Sequence, residues 1–161
     1  MLEHWSEFYV ATAGAAAALA GLIIVAMSVN IQRIIELPGM TSRAAVTIAT
    51  LILIVISASA VLIPGQPLAM LGLEILVFAG GTMGMLIQSA IVMLRAAGPK
   101  YRTPTVIKIV LTATQILLFV IGAVLLLTGA EEGVYWIAAG VLAVFIGSVA
   151  NAWVLLVEIL R

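Results

Sequence analysis

Glu74 stands in an otherwise apolar run, LAMLGLEILVFAG. A carboxylate at membrane depth is costly unless it is protonated, paired or turned toward water, so it is the first residue to question for ion or proton handling. Seven-residue steps link Glu74 to Gly81, Gln88 and Arg95, and the following segment repeats the step with Lys108, Gln115, Gly122 and Gly129. Seven residues advance a helix by almost two turns, so each set forms one stripe. Glu74, Gly81, Gln88 and Gln115 are therefore candidates to line a hydrated path or bind an ion, with Glu74 as the outer charge and the glutamines at mid-depth. Two plainer readings stand beside this one. Glu74 lies on the order of 10 Å below the helix start expected near Pro67, within reach of interfacial water. Gln88 and Gln115, with Asn30 and Asn151, can serve as interhelical hydrogen bonders.

Other chemistry lacks the residues it needs. There is no Cys and no Asp, all seven acids are Glu, and His4 is the sole histidine. Intramembrane hydrolysis requires a nucleophile with a base, paired acids or a metal, so the chain is expected not to be an enzyme. No cofactor is expected: haem would want an axial histidine within a membrane segment, and retinal an embedded lysine. His4 with Glu3 and Glu7 falls short of a metal site. A proton-coupled carrier would need a second intramembrane acid or base as relay.

Positioning falls to helices. The chain has 161 residues, 65% hydrophobic and 9% charged, with a mean hydropathy of +1.32. Soluble domains have about 45–50% apolar and about 25% charged residues. Five apolar stretches, at about 7–31, 43–63, 68–94, 104–127 and 134–160, each cover the roughly 20 residues that cross about 30 Å of hydrocarbon. The expectation is an all-α membrane protein with a single transmembrane domain, no soluble domain and no nucleic-acid partner. Thr41 and Ser42 are expected to cap the second segment, Pro64-Gly65-Gln66-Pro67 to form a turn, and Thr103 to cap a helix opening at Pro104. Residues 32–37 are expected to prolong the first helix along the interface.

The basic residues set the expected orientation. Arg33 and Arg43 flank the first loop, Arg95, Lys100, Arg102 and Lys108 surround the third, and Arg161 ends the chain. Five crossings put all of these on one side, opposite Glu3, Glu7, Glu131 and Glu132. The positive-inside rule then predicts N-out and C-in. The basic loop is assigned to topology, with binding of anionic membrane lipid as its other use. Trp5, Phe8, Tyr9, Tyr135 and Trp136 are expected in an outer aromatic belt, and Tyr101 and Trp153 toward the inner one.

Small residues also recur at sevens. Gly14 and Gly21 mark the first helix, Thr50 and Ser57 the second, and Gly133, Gly140 and Gly147 the fifth, while Gly80 and Gly84 form a GxxxG in the third. Such stripes let backbones approach closely, predicting a bundle packed through small-residue heptad seams. Five helices have few interior seams, so surplus stripes point to a homo-oligomer.

The stretch WSEFYVATAGAAAALAGLIIVAMSVNI, then Leu37-Pro38-Gly39, then VLIPGQ followed by LGLE, resembles a family of small bacterial integral membrane proteins of uncharacterised activity. Some of them are labelled modulators of a membrane-bound AAA protease. The resemblance covers roughly the first half and rests on Ala13-Gly14 with Ala18 and Gly21, on Pro64-Gly65-Gln66 and on Glu74. It implies a bacterial inner membrane. Together these features suggest a homo-oligomeric passive channel for small ions; the alternative is a non-catalytic accessory subunit that contacts another membrane protein.

Overall fold

The computed structural model describes residues 5–36 and 39–153, the side chains of Arg33 and Lys100 excepted. Glu3, His4, Leu37, Pro38 and residues 154–161, Arg161 among them, lie outside the described residues. Six helices run along the described chain: α1 (Ser6–Val29), α2 (Ile31–Glu36), α3 (Met40–Val61), α4 (Leu68–Ala96), α5 (Pro99–Leu127) and α6 (Gly133–Trp153). All but α2 are long and apolar enough to cross a membrane. The protein is an all-α, multi-pass membrane protein.

In hydrocarbon every backbone polar group must be satisfied within the segment, so uninterrupted apolar stretches become helices whatever their propensity. The ends follow local chemistry. Beyond the α5 C-terminus the Gly129 N–H reaches Leu126 O at 3.0 Å and the Ala130 N–H reaches Leu125 O at 2.9 Å, with Gly129 at φ +84°. This Schellman closure needs a left-handed residue, which glycine adopts without penalty.

Three boundaries depart from expectation. Asn30 ends α1 and begins the separate turn α2. α3 opens at Met40 behind Gly39, with no side-chain cap from Thr41 or Ser42. α5 opens at Pro99, which takes the first-turn position where a missing N–H is harmless, and so encloses Pro104. Pro104 then forgoes a single helical bond early in the helix.

Alternation of direction places Glu7, Glu131 and Glu132 at one end of the bundle and Arg43, Arg95 and Arg102 at the other. These are called here the acidic and basic ends. α3, α4, α5 and α6 form a ring of neighbours, and α1 packs outside on α3. α3 is the most buried of the five spans, through Ala44, Leu51, Leu53, Ile54, Ala58 and Val61 among others. α1 buries one narrow stripe, Tyr9, Thr12, Ala16, Ala20, Ile23 and Ala26, while Leu22, Val25 and Val29 face outward.

At the acidic end Tyr9 is fully buried, and its hydroxyl donates to Val134 O at 3.1 Å. Trp5 meets Tyr135 edge to face, with centroids 4.8 Å apart. Tyr9 therefore tethers α1 to α6 instead of joining an interfacial belt; a phenol with a backbone acceptor in reach is better placed inside the bundle.

α5 and α6 touch backbone to backbone. A Cβ added at Gly122 would lie 2.6 Å from Gly133 O, and one at Gly140 would lie 2.7 Å from the Phe119 ring. One at Gly147 would lie 2.5 Å from Gln115 Nε2, and one at Gly72 of α4 2.6 Å from Ala123 O of α5. Gly14, Gly21, Gly80, Gly81 and Gly84 differ: an added Cβ there would meet nothing within 4 Å. The heptad stripes of α5 and α6 are intramolecular seams, and those of α1 and α4 point away from their own bundle.

Candidate functional site: a polar cavity at the basic end

On α5, Tyr101, Thr105, Lys108, Thr112 and Gln115 follow one another at alternating steps of four and three. Such steps hold residues on one helical face. α3 brings Arg43, Thr47 and Thr50 by the same rule, and α6 brings Ser148 and Asn151. These faces converge on a cavity of about 270 Å³, which Gly39, Gly98 and the α4 residues Leu86, Met93 and Ala96 also line. No carboxylate lines it among the described residues.

Its shape follows from the seam above. Close α5–α6 packing runs from Gly122 and Gly133 as far as Gln115 and Gly147, where Gln115 Nε2 donates to Ala143 O at 3.0 Å. Below that level Lys108 and Thr112 stand opposite Ser148 and Asn151 across the cavity. Toward the acidic end it is sealed by buried Leu51, Ile54, Ile116, Phe119 and Val144. The arrangement is a blind vestibule, polar toward the basic end and apolar toward the acidic end.

A hydrogen-bonded chain shapes one wall. Arg43 donates from Nε and Nη2 to Asn151 Oδ1, at 3.1 and 2.7 Å. Asn151 Nδ2 donates to Thr47 Oγ1 at 3.1 Å, and the Thr47 hydroxyl donates to Arg43 O at 3.0 Å. The chain joins α3 to α6 and fixes the guanidinium at the cavity wall. Charge-assisted bonds of this kind run shorter and stronger than neutral ones. Opposite, the Thr105 hydroxyl donates to Tyr101 O at 2.7 Å and the Thr112 hydroxyl to Lys108 O at 3.0 Å.

Two helix starts add to the field. The rim includes Gly39 and Met40, where α3 begins, and Gly98, just before α5. Neither start has a side-chain cap. Helix N-termini carry partial positive charge and unpaired N–H groups. Two cationic side chains, two helix starts and several hydroxyl groups thus border one recess.

The four residues expected to share a path are not gathered. Gln115 lines the cavity, whereas Glu74, Gly81 and Gln88 lie elsewhere on α4. Gly81 and Gln88 are exposed on the outer face of the bundle. Glu74 is half-buried near the acidic end, where Gln66 Nε2 donates to its Oε2 at 2.8 Å. Among the described side chains of the basic loop, Lys108 lines the cavity, whereas Arg95 and Arg102 are exposed outside it. Arg43, Thr47, Thr105, Thr112 and Asn151 were not singled out from sequence as a site. The available signal was the α5 face, where Tyr101, Thr105 and Thr112 complete the stripe already marked by Lys108 and Gln115.

Comparison with protein-family models, curated proteins and solved structures yields no match, so the site has to be read from its own residues.

Proposed function

We propose that the protein is a non-catalytic membrane binding protein that receives an anionic group in the cavity at its basic end, and that this end faces the cytoplasm across a bacterial inner membrane. The observation that carries the reading is the convergence of Arg43 and Lys108 with the Thr47, Thr105, Thr112, Gln115 and Asn151 side chains around one vestibule. The sidedness draws on the positive-inside rule. A recess that combines cationic, hydroxyl and amide donors can form charge-assisted hydrogen bonds to an anionic group in fixed geometry.

The test is the stability of the full chain in neutral detergent with added inorganic phosphate, sulfate or acetate. A ligand that binds only the folded state stabilises it, by about 2.7 kcal/mol at a hundredfold excess over Kd. We expect an anion-dependent rise in unfolding temperature that Lys108→Gln diminishes and matched chloride controls do not reproduce. Equal responses of wild type and variant would refute the site.

A second reading is a homo-oligomer, with a passive channel or an accessory contact built on the outward faces of α1 and α4. It is favoured by the open space over Gly14, Gly21, Gly80, Gly81 and Gly84. An ion path through Glu74, Gly81 and Gln88 would have to form between copies, because Gly81 and Gln88 face outward in one chain. Reconstituted conductance with altered selectivity in Glu74→Gln would support it.

A further inference from the structure

The cavity breaks the lipid-facing wall of the bundle, and this bears on what kind of anion it takes. Lys108 is exposed although it lies nine residues beyond Pro99, about 14 Å along α5. Its neighbours Val106, Ile107, Val110 and Leu111 are all exposed apolar residues. On α6, Ile146 and Val149 are exposed beside Ser148. A cationic, hydroxyl-lined recess thus opens within a surface made for acyl chains.

We propose, building on the reading above, that this recess is a headgroup site for an anionic glycerophospholipid, whose phosphate meets Lys108 and Arg43 while its chains lie along the apolar outer face of α5. Size supports the assignment. Sites that enclose a whole drug-sized ligand span about 300–1,000 Å³. The 270 Å³ here suits a phosphate with its polar substituent, leaving the chains outside. Depth supports it as well. A soluble anion would have to reach Lys108 through the rim, whereas a lipid brings its phosphate along the bilayer interface. Basic recesses between membrane helices are recurrent headgroup sites.

The hydroxyls can adapt to this ligand. Thr105 and Thr112 donate to carbonyls one turn back, at 2.7 and 3.0 Å. Those carbonyls also accept their own helical N–H bonds, so a hydroxyl can swing to a phosphate oxygen without orphaning a buried acceptor. Gly39 and Gly98 lie at the rim, next to the starts of α3 and α5.

The test is native mass spectrometry of the full chain released from nanodiscs of phosphatidylcholine containing a minority of phosphatidylglycerol. The expected result is one phosphatidylglycerol retained per chain, enriched over phosphatidylcholine and not displaced by inorganic phosphate. Removing one cation near the phosphate should lower retention about fivefold. Lys108→Gln is expected to do so, and Thr112→Val, which preserves shape, to reduce it less. Arg102→Gln removes the same charge from an exposed residue outside the cavity and is expected to leave retention unchanged. Equal losses in Lys108→Gln and Arg102→Gln would overturn the proposal in favour of diffuse surface attraction. Binding of inorganic phosphate with no retained lipid would overturn the lipid assignment while leaving the anion site standing, and binding of neither would overturn both. Glu158→Gln covers the chain's own carboxylate, which lies seven residues beyond Asn151 in sequence. Lipid retained by Glu158→Gln but not by wild type would show that carboxylate, not lipid, as the natural occupant.

Discussion

The two halves of α5 share a periodicity and differ in what it carries. Toward the acidic end the inward face presents Ile116, Phe119, Gly122, Ala123 and Leu126, and α6 answers with Gly133, Ile137, Gly140 and Val144. Small meets large on facing turns, and the backbones close until a methyl group would not fit. Toward the basic end the same face presents Tyr101, Thr105, Lys108, Thr112 and Gln115, and α6 answers with Ser148 and Asn151. These side chains seek hydrogen bonds, not contact area, so that half of the bundle holds a cavity. The difference teaches that in lipid a seam forms where small residues permit it and a site forms where polar residues hold helices apart, on one unbroken helix.

The largest effect is expected from breaking the closed half. Gly133→Val places atoms against Gly122 O and the Leu126 side chain, with backbone on one side and a fully buried leucine on the other. Overpacking costs about 1–3 kcal/mol, and more where backbone must move. We predict a loss of at least about 3 kcal/mol, by the same reasoning, in unfolding from mixed micelles. Wild-type stability in this variant would mean that α5 and α6 are not seated as described.

The open half should be more forgiving. Asn151→Leu removes the acceptor of two Arg43 bonds and the donor to Thr47. A partly buried polar group that loses its partner costs about 1–3 kcal/mol, and hydration of the vestibule places the expectation near the lower bound. The same variant should lower anion-dependent stabilisation, because the guanidinium loses its alignment. If Asn151→Leu destabilises more than Gly133→Val, the cavity rather than the seam carries the fold, and the comparison between the halves is inverted.

Much of this bundle was legible beforehand. Five spans follow from hydropathy, and the heptad glycines of α5 and α6 foretold close contact. What periodicity could not say is which stripe meets which. Gly14 and Gly21 repeat at the same spacing as Gly140 and Gly147, yet only the latter pair finds a neighbour within its own chain. Partner choice depends on where Tyr9, Trp5 and the loops place each helix, and those are contacts between distant residues. The cavity was hidden for the same reason. Arg43 reads as a topology signal and Asn151 as packing until α3 and α6 are side by side, 108 residues apart in sequence, with one bonded to the other.

The smallest effect is predicted for the outward glycines, and it is the one that decides their meaning. A Cβ added at Gly81 meets nothing within 4 Å in the single chain, so the side chain of Gly81→Ile points into open space. A β-branched residue suits a lipid-facing site, and exposed substitutions in general move stability by no more than about 0.5 kcal/mol. We therefore predict no change in unfolding of the monomer in detergent. If copies associate through this face, the same isoleucine separates their backbones, and association in nanodiscs falls while monomer stability does not. The chain has no native cysteine to confuse the assay, so Gly81→Cys adds a direct readout: oxidation in membranes traps a disulfide-linked dimer only if two α4 faces meet. A trapped dimer makes the α4 stripe a seam between chains, equivalent in kind to the α5–α6 seam within one. Absence of any self-crosslink, with Gly81→Ile silent in both assays, leaves that stripe facing lipid and confines close glycine packing to the α5–α6 and α4–α5 seams.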